Sequence, residues 1–60
     1  MEPLVEVAVE YITETEAAIL VLDPPDEIWI PKSLIEDMEM EDKLLILKIP
    51  EWFALKKGII

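Results

Sequence analysis

The sequence contains no cysteine, histidine, arginine, asparagine or glutamine, and only one glycine. Without Cys and His it has no thiol nucleophile, no imidazole base and no soft metal-ligand set. Without Arg it lacks the planar fork that grips phosphate or guanine. Positive charge of any kind is scarce: 5 Lys face 14 Asp and Glu, for a formal net charge of −9. Long apolar runs are missing too. The longest, Ala17 to Leu22, has six residues, against about 18 for a membrane span. The start, Met1-Glu2-Pro3-Leu4, is acidic where a secretory signal is basic. The expectation is therefore a cytoplasmic protein with no cofactor, no metal and no membrane partner.

What the chain does have is apolar bulk. Hydrophobic residues make up 53% of it, too many for a solvated acidic tail. Sixty residues are one domain, spanning 1–60, near the lower size limit for folding alone. A chain of this size buries only about 60% of the surface it exposes when unfolded, and no disulfide assists it. Apolar surface left over is expected to be covered by a protein partner or a second copy, with a dimer favoured. The dominance of Lys and Glu without Asn, Gln or Cys also matches a heat-adapted composition.

The apolar period is two over most of the sequence, which predicts strands. Val5, Val7, Val9 and Tyr11 alternate with Glu6, Ala8 and Glu10, the pattern of a half-buried strand. Thr13 to Glu16 reads as a turn into a second, central strand at Ala17 to Leu22. Asp23-Pro24-Pro25-Asp26 stops it, because two prolines fix φ and remove two donors. Glu27 to Pro31 is a third strand with Ile28 and Ile30 opposed to Trp29. Ser33 and Glu36 have capping-box spacing and predict a helical turn starting at Ser33. Glu36 to Asp42 reads as an acidic loop carrying Met38 and Met40, and Lys43 to Ile49 as the fourth strand. Pro50 to Lys57 is a two-turn helix, with Glu51 early, Lys56 and Lys57 late and Gly58 as its stop.

These elements make a mainly β fold: a small antiparallel sheet or partly open barrel of four to five strands, closed by a short C-terminal helix. The expected core is Val5, Val7, Val9, Ile19, Val21, Ile28, Ile30, Leu45, Leu47 and Ile49, with Trp52 or Phe53 pinning the helix.

Candidate chemistry is thin. Glu36, Asp37, Glu39, Glu41 and Asp42 crowd five carboxylates into seven residues, yet without the Asp/Asn alternation and turn Gly of a calcium loop. A solvated acidic loop is the expectation. Glu14 and Glu16 resemble an acid/base pair only in number, since exposed turn carboxylates stay ionised. No spacing among Ser33, Tyr11 and the lysines suggests a nucleophile, so the chain is expected not to be an enzyme.

Charge is distributed unevenly. Residues 1–31 carry eight acids and no base, while all five lysines lie in residues 32–60. Trp29, Lys32, Trp52 and Lys56 are thus candidates for a stacking and cationic surface for single-stranded nucleic acid, which the net charge disfavours. Glu6 and Glu10, on the polar side of the first strand, are candidates for attracting a basic protein.

Ile28-Trp29-Ile30-Pro31-Lys32-Ser33, then Ile49-Pro50-Glu51-Trp52 and Lys57-Gly58, following the turn Glu14-Thr15-Glu16-Ala17-Ala18, resemble a set of small uncharacterised proteins of phages and other mobile elements. This chain has Ala17 where they have lysine, and Phe53 where they have leucine. The resemblance implies a compact β domain with no established catalytic activity, and a host-cytoplasm location. Ile30-Pro31-Lys32-Ser33-Leu34 is also similar to the Ile-Pro-Lys segment of swapped-hairpin antitoxins and transition-state regulators. That implies an intertwined DNA-binding dimer, though the Arg and the Gly-Asp turn of those proteins are absent here. The function expected is a non-catalytic binding or accessory module acting through a macromolecule, by protein–protein interaction or self-assembly, with nucleic-acid binding as the alternative.

Overall fold

In the computed structural model, which describes residues 2–60, alternation has become a five-stranded antiparallel sheet with a short helix at its C-terminus. The strands are β1 (Leu4–Glu14), β2 (Ala18–Asp23), β3 (Asp26–Pro31), β4 (Asp37–Glu41) and β5 (Leu44–Pro50), followed by α1 (Glu51–Lys57). Their spatial order is β3-β2-β1-β5-β4. The first three strands form a meander. The chain then crosses to the opposite edge through one turn of 3₁₀ helix, Lys32–Leu34, and returns as the β4–β5 hairpin beside β1. So short a crossover can link the two edges only if the sheet curls.

Period two decides which side chains face the concave side. Val7, Val9, Ile19, Val21, Ile28, Ile30, Leu45, Leu47 and Ile49 are all buried, as the alternation predicts. Val5 is only partly buried and packs against this cluster. Phe53 and Ala54 complete the core from α1. Phe53, and not Trp52, pins the helix: Trp52 is 48% exposed and meets Phe53 edge-on at 5.8 Å.

Four local expectations are corrected. Asp37–Glu41 is a strand and not a loop. Its Met-Glu alternation has the β period, and pairing Met38 with Leu47 and Met40 with Leu45 outweighs the poor strand propensity of Asp and Glu. The turn at Lys32–Leu34 begins at Pro31 without a side-chain cap, so Ser33 does not act as one. Pro50 is the N-cap of α1, with the helix itself starting at Glu51. Finally, β1 runs on to Glu14 past a bulge between Tyr11 and Thr13.

The bulge has a consequence for faces. An extra residue, Ile12, sits between the pairs Tyr11↔Val21 and Thr13↔Leu20. A one-residue slip moves every later side chain to the other face. Thr13 therefore lies on the convex side, opposite Leu20, and Glu14 turns to the concave side, opposite the buried Ile19.

The ends of the elements follow local chemistry. Thr15 closes the β1–β2 turn: its N–H donates to the Ala18 carbonyl at 2.8 Å, and its Oγ1 accepts from the Ala18 N–H at 3.2 Å. The β2–β3 loop is Pro24-Pro25, joined by a cis peptide bond. Helix α1 ends at Gly58, whose φ of 73° is left-handed. There the Gly58 N–H donates to the Leu55 carbonyl and the Ile59 N–H to that of Ala54, the two bonds of a Schellman cap.

Candidate binding surfaces

The bulged end of β1 and the edge strand β4 face one another across the concave side of the sheet. Between them lies a groove of about 340 Å³ lined by Tyr11, Glu14, Ile19, Met38, Met40 and Leu45. Its wall on the β1 side is fixed by a hydrogen-bonded trio. The Tyr11 hydroxyl donates to Glu14 Oε1 at 3.0 Å, and Lys32 Nζ lies 2.6 Å from Glu14 Oε2. The Lys32 hydrogen bond, seconded by Tyr11, holds the Glu14 carboxyl below its ordinary pKa. The same carboxylate pushes the Tyr11 phenol above its ordinary value, by accepting its proton in a hydrogen bond and by its negative charge.

Strand β4 forms the opposite wall. It pairs only with β5, and all five of its residues are exposed. Met38 and Met40 share the concave face of Leu47 and Leu45, yet remain 54% and 53% exposed. Asp37, Glu39 and Glu41 point to the convex face, at register positions opposite Lys48, Ile46 and Leu44. Alternate residues on a strand are about 6.6 Å apart along its axis, too far for neighbouring carboxylates to close around one ion. Among the described residues no group of acids is arranged to hold a metal.

The residues singled out from the sequence fall in three places. Trp29 stands on the convex face of edge strand β3, opposite Leu20 and 48% exposed. Lys32 follows directly after β3, with its ammonium committed to Glu14. Trp52 and Lys56 lie on α1, where the Trp52 indole N–H donates to the Glu2 carboxylate. Among the described residues no hydrogen bond, ion pair or ring contact joins Trp29 and Lys32 to Trp52 and Lys56. The cation that sits over an aromatic ring is Lys57, 5.9 Å from the Phe53 ring centre. Glu6 and Glu10 both lie on the convex face of β1, Glu6 opposite Lys48 and Glu10 between Leu22 and Leu44. That face mixes acids with apolar groups and one lysine, and is not a uniform acidic field.

Sequence reasoning missed Met38, Met40 and the Tyr11–Glu14 contact as neighbours. The Met-Glu-Met-Glu alternation was the available signal for the first two. The bulge that brings Glu14 to Tyr11 has no comparable local mark. Among the described residues no helix is long and apolar enough to cross a membrane. Comparison with protein-family models, with curated proteins and with solved structures returned no match.

Proposed function

We propose that this chain is a non-catalytic binding module that works through a macromolecular partner, most simply another protein. The observation that carries this reading is the amount of large apolar surface the fold leaves uncovered. Leu4, Ile12, Trp29, Met38, Met40, Leu44, Trp52, Leu55 and Ile60 are all substantially exposed on a sixty-residue chain. Single exposed apolar residues need no explanation, but patches do. Here Met38 and Met40 adjoin an open groove, and Trp29 stands beside Leu20 on the convex sheet. Over the whole chain 14 acids outnumber 5 lysines, which favours basic proteins over nucleic acid by long-range attraction. A nucleic-acid platform would need Lys32, which is already paired, and would start from a net charge of −9.

The test is in-cell photo-crosslinking with a photoreactive residue placed in turn at Trp29, Met40 and Trp52. A discrete protein adduct from one of these positions supports the reading. An adduct of twice the chain mass identifies a second copy as the partner. A nuclease-sensitive adduct, or salt-dependent tryptophan quenching by a short single-stranded oligonucleotide, replaces it with the nucleic-acid reading. No adduct from any position overturns it.

A further inference from the structure

Resting on the binding-module reading, we propose that the free edge of β4 takes up an extended segment of another protein as a sixth strand, and that this segment alternates basic with apolar residues. β4 offers an unpaired edge along five exposed residues. That is about 16 Å of strand, enough for an incoming segment of four to six residues. Strand addition obtains its affinity from main-chain hydrogen bonds and its specificity from alternate side chains, so the chemistry of the two faces of β4 names the partner.

On the concave side an added strand would lie beside Met38 and Met40, over the groove that Tyr11, Ile19 and Leu45 floor. Apolar side chains fit there, and the unbranched thioethers of methionine adapt to differing shapes. On the convex side it would lie beside Asp37, Glu39 and Glu41. Lysine or arginine fits there, because opposite charges on adjacent strands stabilise and like charges destabilise.

The same rule weighs against a second copy. Antiparallel self-pairing of β4 centred on Glu39 would set Glu39 against Glu39 and Asp37 against Glu41. Pairing with the β3 edge of another copy would bring in Asp26 and Glu27, and a Pro31 without an N–H. Neither edge strand of this fold carries a lysine. Protection against aggregation explains the acids, a familiar device on edge strands, but leaves the two half-exposed methionines on the other face unexplained. One carboxylate already folds back on the strand: Asp37 Oδ1 accepts from the Met38 N–H at 3.0 Å.

The experiment is an amide-resolved NMR titration of the full chain with a ten-residue peptide alternating lysine and valine. A glutamate–valine counterpart serves as the control. Expected are shifts confined to residues 37–41 and the neighbouring Tyr11, slowed hydrogen exchange along β4, weakening with salt, and no response to the control. In the variant Glu39→Lys/Glu41→Lys, which alters only exposed side chains, affinity for the lysine peptide falls about tenfold and the glutamate peptide gains. Silence toward both peptides overturns the β4 assignment. So do shifts centred on Trp29 or α1, and so does self-association through β4 in a sedimentation run without peptide. The binding-module reading itself fails only in the crosslinking experiment, so the two can fall independently.

Discussion

Lys32 Nζ lies 2.6 Å from Glu14 Oε2, tying the first residue after β3 to the last residue of β1. The pairing exists because the bulge at Ile12 turns Glu14 to the concave side, where Tyr11 and Lys32 both reach it. Both charged groups remain partly exposed to solvent, so the pair defines the groove wall more than it supports the fold. In Lys32→Met the Glu14 carboxyl should return toward its ordinary value of 4.5, with little change in thermal midpoint. A carboxyl-resolved NMR pH titration measures this.

The pH dependence of that contact follows from its direction. The Glu14 pKa is lowered in the folded chain, so its contribution is present above 4.5 and is lost as pH falls through the folded value. The Tyr11 pKa is raised, so its contribution is complete below 10.0 and is lost as pH rises through the folded value. Tyr11→Phe should abolish the alkaline effect, and absorbance titration of the phenolate should read it directly.

The core predicts a steep penalty for truncation. Leu47 is fully buried at the centre of β5, and Leu47→Ala should cost about 3 kcal/mol. A domain of this length has only about 3–9 kcal/mol to lose, so the thermal midpoint should fall by roughly 12–24 °C. Circular dichroism melting tests this.

At the helix, Phe53→Ala should destabilise much more than Trp52→Ala. Phe53 is buried in the core, whereas Trp52 is half-exposed and held outside it by Glu2. The Phe53 loss should be about 3 kcal/mol. Urea unfolding of the two variants gives the order, and equal losses would contradict the assignment of Phe53 as the anchor.

The β4–β5 hairpin turns through Asp42 and Lys43, and Asp42 holds a φ of 57°. Asp42→Gly should relieve the left-handed penalty of a side chain and gain about 0.5 kcal/mol after the entropy of the freer chain is subtracted. Gly58→Ala should do the reverse. Its added methyl would meet nothing within 4 Å, so the loss of about 1 kcal/mol would be purely conformational.

Which side is buried in β2, β3, β5 and β1 as far as Tyr11, and where most strands stop, could be read from the sequence alone. Alternation is a local property that survives into the fold, and Pro24-Pro25, Pro31, Pro50 and Gly58 act on their own backbone. Hence the core from Val7 to Ile49 and the C-terminal helix were legible before any pairing was known. That Asp37–Glu41 is a strand followed from pairing between distant segments, since a run of acids becomes one when Leu45 and Leu47 offer Met38 and Met40 a partner. The tertiary structure alone decided the strand order and the curl, which depend on the Lys32–Leu34 turn carrying the chain from one sheet edge to the other. The bulge at Ile12 belongs with these, because register is fixed between strands and not within one. The groove between Tyr11 and Met40 arises from pairings distant in sequence, and it leaves Met38 and Met40 half-exposed.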